Sequence, residues 1–266
     1  MGSDASTLVR ANEANLYALS PFFHDWPDAK KYEGPDLSWC VTGIPFPWCN
    51  VAFGARLDPE CVDEAVVAFV AEGEKRDVPL FWWMGQESTP ADLGGYLEDY
   101  GFVPWGESTL MAADLHALKE DVARPRGLFI DQVGDRESLK TWCRIAAEGF
   151  GTPGSAGALL EWFEGGVDLG LPLLFYLGYM QGRPVATSLL FLAEGVAGVY
   201  FVATLPFACR RGIGYSVTLE PLREARRMGH GVGVLQASKA GVEVYRKMGF
   251  LESCTMRSYG RMNGLR

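Results

Sequence analysis

Apolar and polar positions along this chain follow two periods. Apolar residues recur at helical spacing over residues 8–19, 61–75 and 91–100, and again over 136–148, 156–163, 213–228 and 239–248. Short, nearly continuous apolar runs at 38–41, 50–56 and 80–84, then at 173–180, 185–193, 199–204 and 233–236, predict strands. Helices and strands alternate throughout, which predicts an α/β chain. Pro221 falls inside the predicted helix 213–228, removes one ladder hydrogen bond and predicts a kink.

The charged stretch KEDVARPRG, residues 119–127, separates two more apolar regions and reads as a boundary between domains at 1–120 and 121–266. The two regions carry a common ending. ADLGGYLEDYGFVPWGESTLM (residues 91–111) resembles KAGVEVYRKMGFLESCTM (residues 239–256): a short helix, Gly-Phe, then an apolar strand. In each copy the glycine, Gly101 or Gly249, supplies the left-handed residue that stops the helix, and the phenylalanine folds back on its last turn. Thr89-Pro90-Ala91-Asp92 in the first copy reads as an N-cap, a first-turn proline and a capping acid.

Charge divides along the same boundary. The chain of 266 residues has net charge −9, but residues 1–120 hold 7 basic and 20 acidic side chains (−13) and residues 121–266 hold 17 and 13 (+4). The overall balance argues against nucleic acid as a partner, and an anionic ligand belongs to the second half. No apolar run reaches the length of a membrane span, and the N-terminal residues lack an export pattern. Six cysteines without a pairing framework fit reduced thiols in the cytoplasm, and three scattered histidines give no metal-ligand spacing, so no metal is expected.

Where a predicted strand becomes a predicted helix stands CRRGIG, Cys209 to Gly214. Glycines at a helix start let several backbone N–H groups point outward, and the helix dipole adds about half a positive charge there. Such a turn attracts an anion. It matches neither the P-loop nor the dinucleotide fingerprint.

VYFVATLPFACRRGIGYSVT followed by VLQASKAGVEVYRKMGF resembles the acyl-CoA-binding core of the GNAT superfamily of N-acyltransferases over about residues 173–250, with a weaker echo in the first half. The resemblance implies an α/β (α+β) fold of two GNAT-like mixed sheets flanked by helices, in tandem. It implies that Val202, Ala203 and Thr204 lie beside the pantetheine arm of acetyl-CoA, and Arg210, Arg211, Gly212, Ile213, Gly214 and Tyr215 beside its diphosphate. Two positions depart from the family pattern. Cys209 stands where a glutamine or arginine opens the motif, and Ser238 where an asparagine often bonds pantetheine.

Tyr245 falls where family members place an acid that meets the departing thiolate. An ordinary interfacial tyrosine is the plainer reading of the same residue. An amine nucleophile must lose a proton before it attacks, and Glu148, Asp168, Glu194 and His230 are the candidate bases, with Glu148 preferred for its place at a helix end and water as the substitute. In the first half the matching helix begins with acids, and Leu97 stands where Tyr245 stands, so that half is expected to bind no CoA. The expectation is a monomeric N-acetyltransferase acting on a small-molecule primary amine by direct attack. The alternatives are a non-catalytic acyl-CoA sensor and a tandem relative that uses aminoacyl-tRNA, which the acidic charge disfavours.

Overall fold

A computed structural model describes residues 5–19, 28–166 and 169–262. These form two compact units, and neither follows a single cut at residue 120. The larger takes helix α1 (Ala5–Leu19) up to Ala18, then residues 109–160 and 169–254; the smaller takes residues 28–108, 161–166 and 255–262.

In the smaller unit, β1 (Lys30–Glu33), β2 (Ser38–Val41) and β3 (Asn50–Phe53) pair antiparallel in turn. Helix α2 (Val62–Arg76) leads to β4 (Leu80–Met84), which lies parallel to β3, and helix α3 (Leu93–Asp99) follows. The larger unit repeats this order. There β6 (Leu128–Gln132), β7 (Leu173–Met180), β8 (Arg183–Ala193) and β9 (Val196–Thr204) pair antiparallel, with helix α4 (Arg136–Gly149) and the start of α5 (Ala156–Gly166), up to residue 160, between β6 and β7. Helix α6 (Ile213–Arg227) leads to β10 (Val232–Ala237), parallel to β9, and helix α7 (Val242–Met248) follows.

The last strand of each half is exchanged. From Thr109 onward β5 (Val103–Asp114), which ends the first half, pairs antiparallel with β10 of the second. Residues 257–261 of β11 (Leu251–Arg261), which ends the second half, pair antiparallel with β4 of the first. This is why the units do not divide at residue 120: strand pairing is a long-range choice, and the strands of each half are continued by the other half's terminal strand.

The shared ending is visible bond for bond. Gly101 and Gly249 have φ of 81° and 99°. Phe102 N–H donates to Leu97 C=O at 3.1 Å, and Phe250 N–H to Tyr245 C=O at 3.1 Å, while Gly101 and Gly249 N–H groups reach Glu98 and Arg246 carbonyls at 3.0 and 3.1 Å. Both phenylalanines are buried. The glycine stop and the returning ring are as the sequence indicates.

One local expectation needs correction. Thr89 does not cap α3; its hydroxyl donates to Leu57 C=O at 3.1 Å and its own backbone bridges to residues 55–57, so the helix starts later, after an Asp92 whose side chain makes no cap bond. The charged stretch 119–127 is tied to α6: Glu120 lies 2.7 Å from Arg223 and 2.9 Å from Arg226, and Arg124 pairs with Glu220.

In the larger unit one sheet face carries α6 and α7 over a core that includes Met111, Leu190, Leu222, Leu235 and Phe250. Helix α1 packs Leu8 and Ala11 against Ala112, Val196 and Val234. Helix α4 begins in a capping box, Asp135 accepting from Ser138 N–H at 2.8 Å while Ser138 Oγ accepts from Asp135 N–H at 3.2 Å. It seats Trp142 edge-on to Phe175, centroids 5.1 Å apart.

Candidate acyl-CoA site

The site is built where two parallel strands part. β9 and β10 pair at Ala197 with Gly233 and at Gly198 with Val234, yet β9 runs on to Thr204 and β10 to Ala237. Beyond Gly198 they diverge. A bulge in β9 accompanies this: Thr187 faces Ala203 and Leu189 faces Tyr200, so β9 holds one residue more than β8 across the same span. Phe201 takes φ of 49°, a left-handed conformation that costs a bulky residue about 1–3 kcal/mol and must be held by its surroundings. Thr187 Oγ donates to Phe201 C=O at 2.9 Å, and the ring lies 5.4 Å from Trp142 and 6.0 Å from Phe150, centroid to centroid. In the smaller unit the equivalent β3 stops at Phe53, directly after its last pair with β4, and no such wedge is built.

Past Thr204 the chain makes one tight turn, Pro206–Ala208, and reaches α6 through Arg210 (φ 58°) and Gly212 (φ 78°). The backbone N–H groups of Arg210, Arg211, Gly212, Ile213, Gly214 and Tyr215 find no acceptor among the described residues. Arg210 and Arg211 are exposed and pair with no acid among those residues. Unspent donors, two free guanidinium groups and a helix N-terminus without first-turn acids make this turn complementary to a polyanion. At two of these positions the side chain points away from the turn's surface. Ile213 is buried in the core, and Tyr215 turns its phenol inward to donate to Lys119 C=O. Cys209 keeps its thiol 3.5 Å from the Thr204 and Leu205 carbonyls, beside the strand end.

Across the wedge, Ser238 is exposed at the end of β10, and its carbonyl accepts from Gly241 and Val242 N–H at 2.8 and 3.2 Å, so its backbone starts α7. Tyr245 follows on α7, half-buried, its ring 6.1 Å from Phe250. Burial pushes its phenol up to about 12, against a neighbouring Thr218 hydroxyl that works to lower it. Thr218 is buried and donates to Gly214 C=O at 2.9 Å, which links the phenol to the first turn of α6. Sequence reading gave Thr218 no role.

The end of α4 closes against the same strand. A Cβ at Gly149 would come within 2.8 Å of Ala203 Cβ, so only glycine allows this approach. Glu148, one residue earlier, is exposed and ion-paired with Arg144 at 3.7 Å. Glu194 sits in the β8–β9 turn and His230 precedes β10, at the far ends of strands that rise roughly 25 Å to the turn. Neither belongs to the site. Asp168 lies outside the described residues.

Pro221 leaves α6 unbroken to Arg227. The carbonyl it deprives of a helical donor, Val217 C=O, accepts instead from buried Ser188 Oγ at 2.6 Å, and Ser188 C=O accepts from Trp142 Nε1 at 3.1 Å. This chain crosses the sheet at the bulge. Among the described residues no cluster of His, Cys, Asp and Glu could hold a metal ion, and no helix is long and apolar enough to cross a membrane.

No protein-family model and no curated protein matches this sequence. Solved structures do. A GCN5-related N-acetyltransferase from Kribbella flavida is 21% identical, with a TM-score of 0.70 over 94% of this chain and 96% of that one. A functionally unknown conserved protein from Staphylococcus epidermidis is 15% identical, with a TM-score of 0.68 over 89% and 95%. A tandem GNAT protein from the clavulanic acid biosynthesis pathway is 10% identical, with a TM-score of 0.55 over 90% and 85%.

Proposed function

We propose that this chain, which has the tandem GNAT fold, is an N-acetyltransferase that moves an acetyl group from acetyl-CoA to the primary amine of a small molecule by direct attack. The observation that carries this reading is the run of unbonded N–H groups from Arg210 to Tyr215 at the mouth of the wedge between β9 and β10. A diphosphate accepts from those donors, the pantetheine arm follows Val202, Ala203 and Thr204, and the thioester ends between the bulge and Tyr245. Ser238 bounds the arm from the β10 side.

Tyr245 meets the leaving thiolate. A phenol at about 12 stays protonated throughout the physiological range. Full proton transfer to a thiolate whose conjugate acid is near ~8.5 would be uphill by about 5 kcal/mol, so Tyr245 acts by donating a hydrogen bond to sulfur as charge develops. Among the described residues Glu148 is the candidate base beside the reacting strand, and it serves only if substrate or water draws it from Arg144. That ion pair is also the observation favouring a non-catalytic acyl-CoA sensor.

The smaller unit binds no CoA in this reading. Its α2 begins with Asp63 and Glu64, after a short turn, Pro59–Cys61, that Asp58 caps, and Leu97 is sealed in its core. One CoA per chain, a monomer and a reducing cytoplasm complete the proposal. Thiol release from acetyl-CoA against a panel of small amines tests it: release with at least one amine supports an enzyme, CoA binding without release points to the sensor, and no binding overturns both.

A further inference from the structure

Four polar side chains lie where the β9–β10 ladder ends, and the cofactor contacts above do not use them. Asn12 and Asn15, one turn apart on α1, are fully buried, which is costly for an amide unless every bond is made. Asn12 Nδ2 donates to Met111 C=O on β5 at 3.0 Å and to Leu235 C=O on β10 at 3.2 Å. Its Oδ1 accepts from Gln236 Nε2 on β10 at 2.6 Å. Asn15 Nδ2 donates to Ala193 C=O, the last residue of β8, at 2.9 Å, and its Oδ1 accepts from the Tyr200 phenol on β9 at 2.6 Å. Gln236 also faces the Tyr200 oxygen, so the loop closes from β9 to β10.

The position matters more than the bonds. Gly198 makes the last β9–β10 pair, and a Cβ there would collide with Asn15 Oδ1 and the Tyr200 ring. Tyr200 is two residues past that pair on β9, and Gln236 two past its partner Val234 on β10. The clamp therefore occupies the vertex of the wedge. Strands with bare facing edges gain about 1 kcal/mol for each ladder bond they close, so an open wedge needs something that stops them zipping.

We infer that Asn12, Asn15, Tyr200 and Gln236 are positioning residues that fix the vertex of the β9–β10 wedge and so the width of the groove for the pantetheine arm. None touches acyl-CoA; they act through the two strands. The inference rests on the acyl-CoA reading of the same site. It separates the molecule's grip on the two halves of CoA: the nucleotide half depends on the turn after β9, the pantetheine half on the clamp.

Binding of CoA and of its nucleotide half, adenosine 3′-phosphate 5′-diphosphate, by calorimetry on the full chain tests this. Asn15→Ala, Gly198→Ala and the milder Tyr200→Phe are expected to weaken CoA binding at least tenfold while the nucleotide half binds as in the wild type. Tyr200→Phe keeps the ring and serves if the other two fail to fold. Equal losses for both ligands would reveal a merely structural role and overturn the inference, as would unchanged CoA binding. Wild-type protein that binds neither ligand would instead overturn the acyl-CoA reading, and this inference with it.

Discussion

Ser188 donates its hydroxyl proton to the carbonyl of Val217, the acceptor that Pro221 leaves without a helical donor. A strand residue thereby mends a helix, and the repair lies at the bulge in β9 where that strand parts from β10. Ser188→Ala is expected to cost about 1–3 kcal/mol in denaturant unfolding, since it orphans a buried carbonyl. Adding Pro221→Ala restores a helical N–H to Val217 and should recover part of that loss. Additive losses in the double variant would refute the pairing.

Acetyl-CoA at a hundredfold excess over its Kd should stabilise the protein by about 2.7 kcal/mol, visible as a rise in Tm. Gly212→Asp should abolish the rise, because it puts a side chain at a φ of 78° and an anion among the phosphate donors. A Tm rise of the same size in the variant would move the site elsewhere.

Tyr245→Phe is expected to lower kcat by roughly ten- to a thousandfold with acetyl-CoA affinity kept. With the phenol at about 12, the wild-type rate should show no alkaline loss from Tyr245 below about pH 10. A wild-type limb in the pH 8–9 range that disappears in Tyr245→Phe would contradict this assignment.

Burial pushes the Glu120 carboxyl up, but Arg223 and Arg226 together hold it below the usual carboxylate range. A lowered folded-state pKa contributes stability above the ordinary carboxylate value and loses it as pH falls through the depressed one. Glu120→Gln should therefore be less stable than wild type at pH 7, with the gap closing in acid. A gap independent of pH would show that the ion pairs contribute nothing.

Residues 121–266 expressed alone lack both α1 and β5, leaving the outer edge of β10 bare and Tyr200 without Asn15. That fragment should be poorly soluble. Calorimetry on the whole chain should find one CoA site. A soluble, fully active fragment, or two equivalent sites, would reverse the roles given to the halves.

The strands β2, β4 and β7 were legible to the residue because they are continuous apolar runs buried on both faces. β1, Lys30–Glu33, was not: all four residues are exposed, so no periodicity marks them. The glycine turn at the start of α6 could be read because glycine spacing is local chemistry. The bulge at Phe201 could not, since nothing in VYFVAT distinguishes a left-handed phenylalanine from an extended one. Nothing local in the sequence marks Asn12 and Asn15 as buried, and only the fold turns them inward. The exchanged strands were invisible for a similar reason: the sequences of β5 and β11 suit either partner, and the choice depends on the whole chain.

That exchange bears on how the protein is made. The apolar strand β4, LFWWM, receives its outer neighbour only from residues 257–261, about 170 residues later in the chain. At ribosomal speeds of about 5–20 residues per second, this edge stays open for roughly 10–30 seconds of synthesis. During translation the first half is an unfinished sheet with a sticky margin, and its exposure to neighbouring nascent chains ends only when β11 leaves the ribosome.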